Sequence, residues 1–411
     1  MSGPAGAEGD GDELWAVIDA AVSRAFGGLR RTVQKNLAAL TVAFLRVLGA
    51  ARSGHGRLSL GALFRVLPTP GTPHAREKRL HRFLNNARLD PRGVTEGLAR
   101  LIFGRRGHGL WPIAFDQTKT GATQALVAGV PFEGRTLPLA VYTFVYPWVE
   151  RTAKSQNYLE EVFLCDLEAA LPGGARGVFI GDRGYARAAL LRHSGQVDRL
   201  YIIRGRGGTQ VEYQGRHLKL RELPSQPGHA RRYPLVRYQA KDRVLVDVVV
   251  CHDPAFREPW YLLVPPGSEL ILPTETVVAL YRERMQVEHS FRDFKTHLGL
   301  RGLQLKVRVA ERTGRLLLAF TIAYCLALVL GVSPEAEQAR AALEILRRRP
   351  RHGTCRTLSV LSVAMQMLSH PHWRAKAYAR LRWIAARIAQ GKRPLKRAPP
   401  QAHERVRQAA A

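Results

Sequence analysis

The order of apolar runs between residues 106 and 206 restricts the fold more than any other feature. Three strand-like runs come first, in "GLWPIAFDQTKT" and on either side of "FEGR" in "ALVAGVPFEGRTLPLAVYTFVYP". The helical pattern "YLEEVFLCDLEAAL" follows, then the strand "GVFIGDRGYA", the short helix "RAALLRHS" and the strand "RLYIIRG". Three strands followed by alternating helices and strands predict an α/β fold with a mixed sheet and helices on both faces.

The charge of the chain indicates what kind of partner it has. Lys and Arg number 63 against 33 Asp and Glu, which gives a formal net charge of +30 over 411 residues. Hydrophobic residues make up 46% of the chain, so we expect a folded core and not a disordered basic tail. A polyanionic partner, above all nucleic acid, is therefore favoured. The alternatives are a ribosome-associated or membrane-surface protein. The large apolar core argues against the first, and the absence of a separate basic amphipathic anchor against the second.

Further patterns divide the rest of the chain into regions. β-branched and aromatic residues between polar turns predict a separate β-rich insertion after the first strands, and helical patterning resumes beyond it. Both ends of the chain are helical in pattern, and the C-terminal end is strongly basic. The predicted regions are a disordered acidic tail (1–12), a helical DNA-binding region (13–105), the first part of the core (106–206), the β-rich insertion (207–268), the second part of the core (269–332) and a basic helical C-terminal region (333–411).

One predicted helix in the N-terminal region, "HAREKRLHRFLNN", has two distinct faces. Leu80, Phe83 and Leu84 share an apolar face, whereas Lys78 and Arg82 share a polar one. This arrangement is typical of a small helical unit that reads DNA, so both cations are candidate DNA-binding residues. A solvated charged face on an ordinary helix is an equally good interpretation.

Cysteines and apolar runs bear on the cellular compartment. The four cysteines form no CxxC pair, which fits a reducing cytoplasm and argues against a structural zinc site. The acidic, Gly-rich N-terminus lacks the basic start of a signal peptide. The apolar run 315–332 is near the lower length limit of a membrane span. Because no second span follows, we expect a buried core helix; an inner-membrane protein is the alternative.

The segment "YRERMQVEHSFRDFK" places polar side chains where a helix usually shows a core. At about 100° per residue, one narrow sector holds five functional groups, namely Tyr281, Arg284, Glu288, Arg292 and Lys295. An i, i+4 surface ion pair is worth only about 0.3–0.5 kcal/mol, a weak reason for such a stripe. The stripe therefore predicts a functional cleft, in which the cations, Arg292 among them, would bind DNA.

Two upstream acids complete a candidate catalytic site. Asp116 and Asp182 each follow an apolar strand run, and sites of open α/β sheets form beyond the carboxyl ends of strands. Neighbouring carboxylates repel each other unless a cation is near, and hard oxygen ligands suit Mg²⁺ or Mn²⁺. With Glu288 from a facing helix, they would hold two metal ions about 3.5–4 Å apart for phosphoryl transfer. We predict all three acids as metal ligands and catalytic residues. The alternative is two turn residues and a salt-bridge partner.

The pattern Tyr281–x2–Arg284–x3–Glu288–x6–Lys295 resembles the Y-(2)-R-(3)-E-(6)-K signature of the insertion-sequence-four family of bacterial transposases. These are DDE enzymes with an RNase H-like catalytic core. The first two acids also stand in matching contexts and in the expected order, "IAFDQTKT" and "FIGDRGYA". The resemblance covers roughly residues 100–330 and implies an RNase H-like core.

The resemblance also implies a function. A member of this family is a cut-and-paste transposase with two Mg²⁺ or Mn²⁺ ions in each active site. Its partners would be DNA, as terminal inverted repeats and as target, and a second copy of itself in a synaptic complex, with no membrane. Its location would be the bacterial cytoplasm, at the nucleoid. The matching positions Tyr281, Arg284 and Lys295 would contact DNA near the cleaved end.

Several candidates remain less specific. Lys119 and Arg183 closely follow the two Asp residues and would touch phosphates, or else are solvated loop charges. Trp260 would stack on a flipped base or, as its strand context favours, pack inside the insertion. Asp293 lies off the stripe and is interpreted as an ordinary surface or paired acid. Rival functions are a metal-dependent DNA nuclease without strand transfer and a domesticated, non-catalytic DNA-binding protein.

Overall fold

A computed structural model gives the fold of most of the chain. It describes residues 6–51, 58–90, 94–104, 108–120, 123–145, 155–253, 258–294, 309–350 and 354–394. The α-helices within these ranges are α1 (Gly6–Ala25), α2 (Arg31–Ala51), α3 (Leu60–Arg65), α4 (Pro73–Leu84), α5 (Thr95–Phe103), α6 (Gln156–Ala170), α7 (Ala188–Gln196), α8 (Thr274–Glu283), α9 (Met285–Arg292), α10 (Ala310–Leu330), α11 (Pro334–Leu343), α12 (Val360–Ser369) and α13 (Pro371–Ala389).

The strands within the same ranges belong to one sheet. They are β1 (Gly109–Thr120), β2 (Thr123–Phe132), β3 (Arg135–Val145), β4 (Ala175–Gly181), β5 (Leu200–Arg204), β6 (Gln210–Tyr213), β7 (Arg216–Lys219), β8 (Ala230–Tyr238), β9 (Val244–Cys251) and β10 (Trp260–Val264). Their order across the sheet is β3-β2-β1-β4-β5-β10-β9-β8-β6-β7.

The first five strands explain why the sheet is mixed. Successive strands β1, β2 and β3 pair antiparallel, whereas β1, β4 and β5 pair parallel. Parallel neighbours need a long crossover connection, and helices α6 and α7 lie in the connections that lead to β4 and β5. The prediction of an α/β fold with a mixed sheet is confirmed.

A two-residue turn connects β2 and β3, as the "FEGR" segment predicts. Glu133 and Gly134 both have positive φ, 49° and 74°, the backbone of a type I′ turn. Because this turn follows the natural twist of two strands, it fixes their register tightly. It also places Arg135 at the start of β3, where this side chain can reach a neighbouring helix.

Two predictions about regions differ from the structure. The β-rich insertion is not a separate sheet, because β10 pairs antiparallel with β5 through Leu262↔Arg204 and Leu263↔Ile203. This pairing covers a strand edge that would otherwise expose unpaired backbone groups. At the N-terminus, α1 begins at Gly6 and packs against α2 and α13, so most of the predicted disordered tail is helical. Residues 1–5 lie outside the described residues.

Helix α10 is the apolar run that sequence analysis assigns to the core. Among the described residues it is the single helix long and apolar enough to cross a membrane, but 94% of its most apolar window is buried inside the protein. It packs against α2, α4, α12 and α13 and against β2 and β3. Its burial agrees with the prediction of a core helix.

Candidate active site

The register of two neighbouring strands brings Asp116 and Asp182 side by side. Parallel strands β1 and β4 pair up to Ala114↔Ile180, and each acid stands two residues beyond this pair. Side chains two residues apart on a strand point to the same face, and neighbouring strands lie about 4.8 Å apart. The two carboxylates therefore share one end of the sheet and one face of it.

Strand β1 is longer than sequence analysis predicts. It continues to Thr120 by pairing with β2, and Asp116 lies opposite Val127 in that ladder. Asp116 is thus inside a strand and not at its end, although the β1–β4 ladder stops just before it. The antiparallel neighbour holds the β1 backbone straight where the parallel neighbour has ended.

Asp182 lies at a tightly packed turn. Strand β4 ends at Gly181, and Asp182 is the residue before a short 3₁₀-helix, Arg183–Tyr185. A Cβ atom at position 181 would come within 2.7 Å of Cζ of Phe115, which packs edge-on against Tyr185. Only glycine fits there without displacing the aromatic pair, so the "GD" dipeptide fixes the position of the acid.

Glu288 reaches the acids on α9, which packs against β1, β2 and β3. The sequence predicts one continuous helix, and α8 and α9 meet at Arg284, whose backbone is itself α-helical at φ −52° and ψ −35°. There the Arg284 N–H donates to the carbonyl of Tyr281, three residues back, at 3.0 Å. This hydrogen bond is typical of a 3₁₀ turn. Tyr281, Arg284 and Glu288 remain on the same side of the helix.

The guanidinium of Arg284 lies between two of the acids. Its Nη1 is 3.4 Å from Oδ2 of Asp116, and its Nη2 is 2.6 Å from Oε1 of Glu288. The side chain is only 6% exposed. Although burial lowers the pKa of Arg284, nearby Tyr281, Asp182 and Glu288 raise it above its usual value, so the group stays cationic. In this conformation its charge faces the acids and not the solvent.

The pKa of Asp116 shows which charged groups surround it. Burial raises its pKa from 3.8 to about 6, and repulsion from Asp182 and Glu288 adds to this rise. The backbone N–H of Gln117, which donates to Asp116 Oδ1 at 2.8 Å, and the charge of Arg284 act in the opposite direction. Asp116 is thus close enough to Asp182 and Glu288 to feel the charge of both.

The donor set fits divalent cations in its chemistry. Oδ1 of Asp182 is buried without a hydrogen-bond partner in the described part of the chain, and burial holds Asp116 at a raised pKa that a cation would lower. Within the same residues, no three His, Cys, Asp or Glu side chains form a ready cluster for a metal ion. The guanidinium of Arg284, in contact with both Asp116 and Glu288, stands between two of the three acids.

Tyr281, predicted to contact DNA, is buried. It is 3% exposed, and its ring packs edge-on against Trp260 of β10 at 5.0 Å between centroids. Burial raises the pKa of Tyr281, which keeps its hydroxyl protonated. Trp260 is 6% exposed, in agreement with the packed interpretation of its strand.

The other predicted DNA-binding cations lie on the surface or outside the described residues. Lys295 belongs to the second group. The side chains in the first group are all exposed, and they are Lys78, Arg82, Lys119, Arg183 and Arg292.

Sequence analysis does not identify a buried acid beneath β1. Glu160 of α6 is 1% exposed and accepts hydrogen bonds from Gln117, Gln156 and Arg187. Gln117 directly follows Asp116, so this network holds the part of β1 that carries the acid. The i, i+4 spacing of Gln156 and Glu160 is the only signal in the sequence, since Arg187 arrives through the fold.

Comparison with known proteins points to the same chemistry. Residues 154–326 match the family model described as the transposase DDE domain. The matched segment includes Asp182 and Glu288, and Asp116 lies upstream of it. No curated protein matches the chain.

Three observations support a relation of residues 154–326 to the DDE transposase family. They are the family match, the mixed α/β fold and the converging acids. Such a domain implies a nuclease or transposase enzyme that acts on DNA.

Proposed function

We propose that this protein is a cut-and-paste DNA transposase of the insertion-sequence-four family, with an RNase H-like core formed by β1 to β5. The observation that carries the proposal is the convergence of Asp116, Asp182 and Glu288 on one buried guanidinium, that of Arg284. Acids so distant in sequence rarely share an electrostatic environment without a functional reason. The Y-(2)-R-(3)-E-(6)-K signature and the family match support it.

The three acids would hold two Mg²⁺ or Mn²⁺ ions. When bound, such ions activate a water or a 3′-hydroxyl and stabilise the leaving oxygen in phosphoryl transfer. Groups of this chain prepare the site: the backbone N–H of Gln117 fixes one oxygen of Asp116, and the side chain of Arg284 neutralises the carboxylates. In a complex with DNA, Arg284 would pair bidentately with a phosphate, as Arg commonly does.

Partners and location follow from the same proposal. The DNA would comprise terminal inverted repeats and a target, bound by a homodimer in a synaptic complex at the bacterial nucleoid, in the cytoplasm. The formal net charge of +30 predicts strong, salt-sensitive binding, because each phosphate that a cation neutralises releases counterions. The exposed cations of α4 and those near Asp116 and Asp182 are candidates for these contacts.

The test is incubation of the purified protein with Mg²⁺, a target plasmid and DNA carrying the ends that flank its own gene. We expect cleavage at the ends and strand transfer, and a loss of at least about a thousandfold in Asp116→Asn, Asp182→Asn and Glu288→Gln. DNA binding by these variants should persist. Asp242→Asn, a change at an exposed acid outside the site, is the control for net charge.

The outcomes separate the rival functions. Cleavage without transfer would identify a nuclease. DNA binding with no cleavage, unchanged by all three substitutions, would identify a non-catalytic DNA-binding protein and overturn the proposal.

A further inference from the structure

Helix α9, which carries Glu288, is attached to the β2–β3 hairpin by side chains on its opposite side. Ser290 and Asp293 lie about 200° and 140° around the helix from Glu288. Both are buried, Ser290 at 2% and Asp293 at 1% exposure. Of the two interpretations of Asp293, a surface acid or a paired one, its burial agrees with the paired one.

The carboxylate of Asp293 is held from two other elements. It accepts hydrogen bonds from Nε and Nη2 of Arg135, the first residue of β3, and from the hydroxyl of Tyr324 on α10 at 3.1 Å. Burial and the charge of Asp293 raise the pKa of Tyr324 well above its usual value, so its hydroxyl remains a donor. Asp293 thus connects α9, β3 and α10 in the interior.

Ser290 adds a second attachment one turn earlier. Its Oγ accepts a hydrogen bond from the backbone N–H of Thr136 at 2.8 Å and lies 3.2 Å from the Tyr324 hydroxyl. Next to it, Nδ1 of His289 is 3.2 Å from the carbonyl oxygen of Gly134. Three successive residues of the hairpin, Gly134 to Thr136, therefore contact His289, Asp293 and Ser290 at the end of α9, which opposes both rotation and sliding of the helix.

We propose that Asp293 is a positioning residue for Glu288, a role that rests on the proposed function. Paired with Arg135 and Tyr324, it fixes the rotation of α9 so that Glu288 faces Asp116 and Asp182. A slip by one residue would turn Glu288 by about 100° and remove it from the site. The backbone stays α-helical through Arg284, so α8 and these contacts of Asp293 set the rotation of α9 together.

The insertion strands offer a matched control. Asp247 of β9 is as buried as Asp293, with both side chains 2% exposed, and each pairs with an arginine. Arg232 donates to Asp247 from Nε at 3.0 Å, and the N–H groups of Leu235 and Gly267 donate to the same carboxylate. Asp247→Asn therefore disturbs a buried Asp–Arg pair of the same sheet without touching α9.

The experiment compares Mn²⁺ binding, measured by titration calorimetry on the full chain, with the melting temperature. We expect Asp293→Asn to bind Mn²⁺ at least about tenfold more weakly, as loss of groups that orient a metal ligand usually does. Asp247→Asn should bind within about twofold of the unsubstituted protein at a comparable loss of melting temperature. A merely structural Asp293 would lower the melting temperature and leave Mn²⁺ affinity intact, which would overturn the proposal.

Two further variants keep the test decisive. If Asp293→Asn does not fold, Tyr324→Phe removes one hydroxyl at constant ring volume, and we expect about threefold weaker Mn²⁺ binding; unchanged affinity would overturn the proposal. Glu288→Gln separates the two levels of inference. If it fails to weaken Mn²⁺ binding, the proposed metal site is wrong and the positioning role falls with it. If it weakens binding and Asp293→Asn does not, only the positioning role is wrong.

Discussion

The acids at two ends of the sheet have opposite surroundings. In the insertion, Asp247 has its own arginine, Arg232, and two backbone N–H donors, and Arg232 also donates to the carbonyl of Leu272 and to Ser268. Every part of this pair is satisfied, as buried polar groups in stable structures usually are.

At the site end of the sheet, charges do not balance. Asp116 and Glu288 share the guanidinium of Arg284, and one buried oxygen of Asp182 lacks a hydrogen-bond partner among the described residues. The comparison teaches that burial alone does not mark a functional acid. Acids that lack enough hydrogen-bond donors or cations do mark a functional site, because such unbalanced charge destabilises the fold and is retained for another reason.

Removing the arginine of the insertion should have the largest effect on stability. In Arg232→Met, Asp247 keeps only its backbone donors, and loss of one partner of a buried ion pair costs about 3–5 kcal/mol. We expect this loss in the free energy of unfolding, measured by urea denaturation, with Mn²⁺ affinity unchanged.

The control is Arg192→Met, which breaks the exposed pair with Asp242 and should change stability by less than about 1 kcal/mol. If Arg232→Met also lost less than about 1 kcal/mol, the Arg232–Asp247 pair would not stabilise the fold. The contrast between this pair and the acids of the site would then be lost.

The imbalance at the site predicts a pH dependence of stability. The pKa of Asp116 is about 6 in the folded protein and 3.8 as its ordinary value, so the folded state binds more protons between these pH values. Stability from this group is therefore greatest below pH 4 and falls as the pH rises to about 6, by on the order of 3 kcal/mol. Asp116→Asn removes this component.

The measurement is the free energy of unfolding of both proteins from pH 4 to 7 without divalent ions. We expect the variant to gain on the unsubstituted protein as the pH rises, with Asp242→Asn as the control for net charge. Parallel pH curves would show that Asp116 is not held in a raised-pKa environment.

Local patterns were sufficient for much of the fold. Alternation and turn residues predict β1 to β5 and the helices between them, and the "FEGR" turn is a local signal of the β2–β3 hairpin. The pairing of β5 with β10 joins residues 204 and 262, and no local pattern encodes which edge an insertion will extend. The pairing of β10 with β5 is therefore the part of the insertion that the sequence does not predict.

The site divides in the same way. Strand and helix periodicity were enough to nominate Asp116, Asp182 and Glu288, because each stands at a position where an apolar residue or a turn is expected. The direction in which Arg284 points is not predictable from the sequence, because it depends on contact with Asp116 of β1, which is distant in the chain. The pairing of Asp293 is one of the two predicted alternatives, but its partners, Arg135 and Tyr324, come from distant elements that no local pattern identifies.

Arg284→Gln should have a smaller effect and test the comparison most directly. Without the guanidinium the three acids face one another, but Asp116 then takes up a proton more readily, so we expect a loss of only about 1–2 kcal/mol without metal. Because no side-chain cation then competes for the carboxylates, Mn²⁺ should bind several-fold more tightly in calorimetry.

The control is Arg183→Gln, at the exposed arginine beside Asp182, which should change stability by less than about 0.5 kcal/mol. Weaker Mn²⁺ binding in Arg284→Gln would mean that Arg284 helps to form the cation site instead of filling it, and that the imbalance is smaller than the contacts indicate.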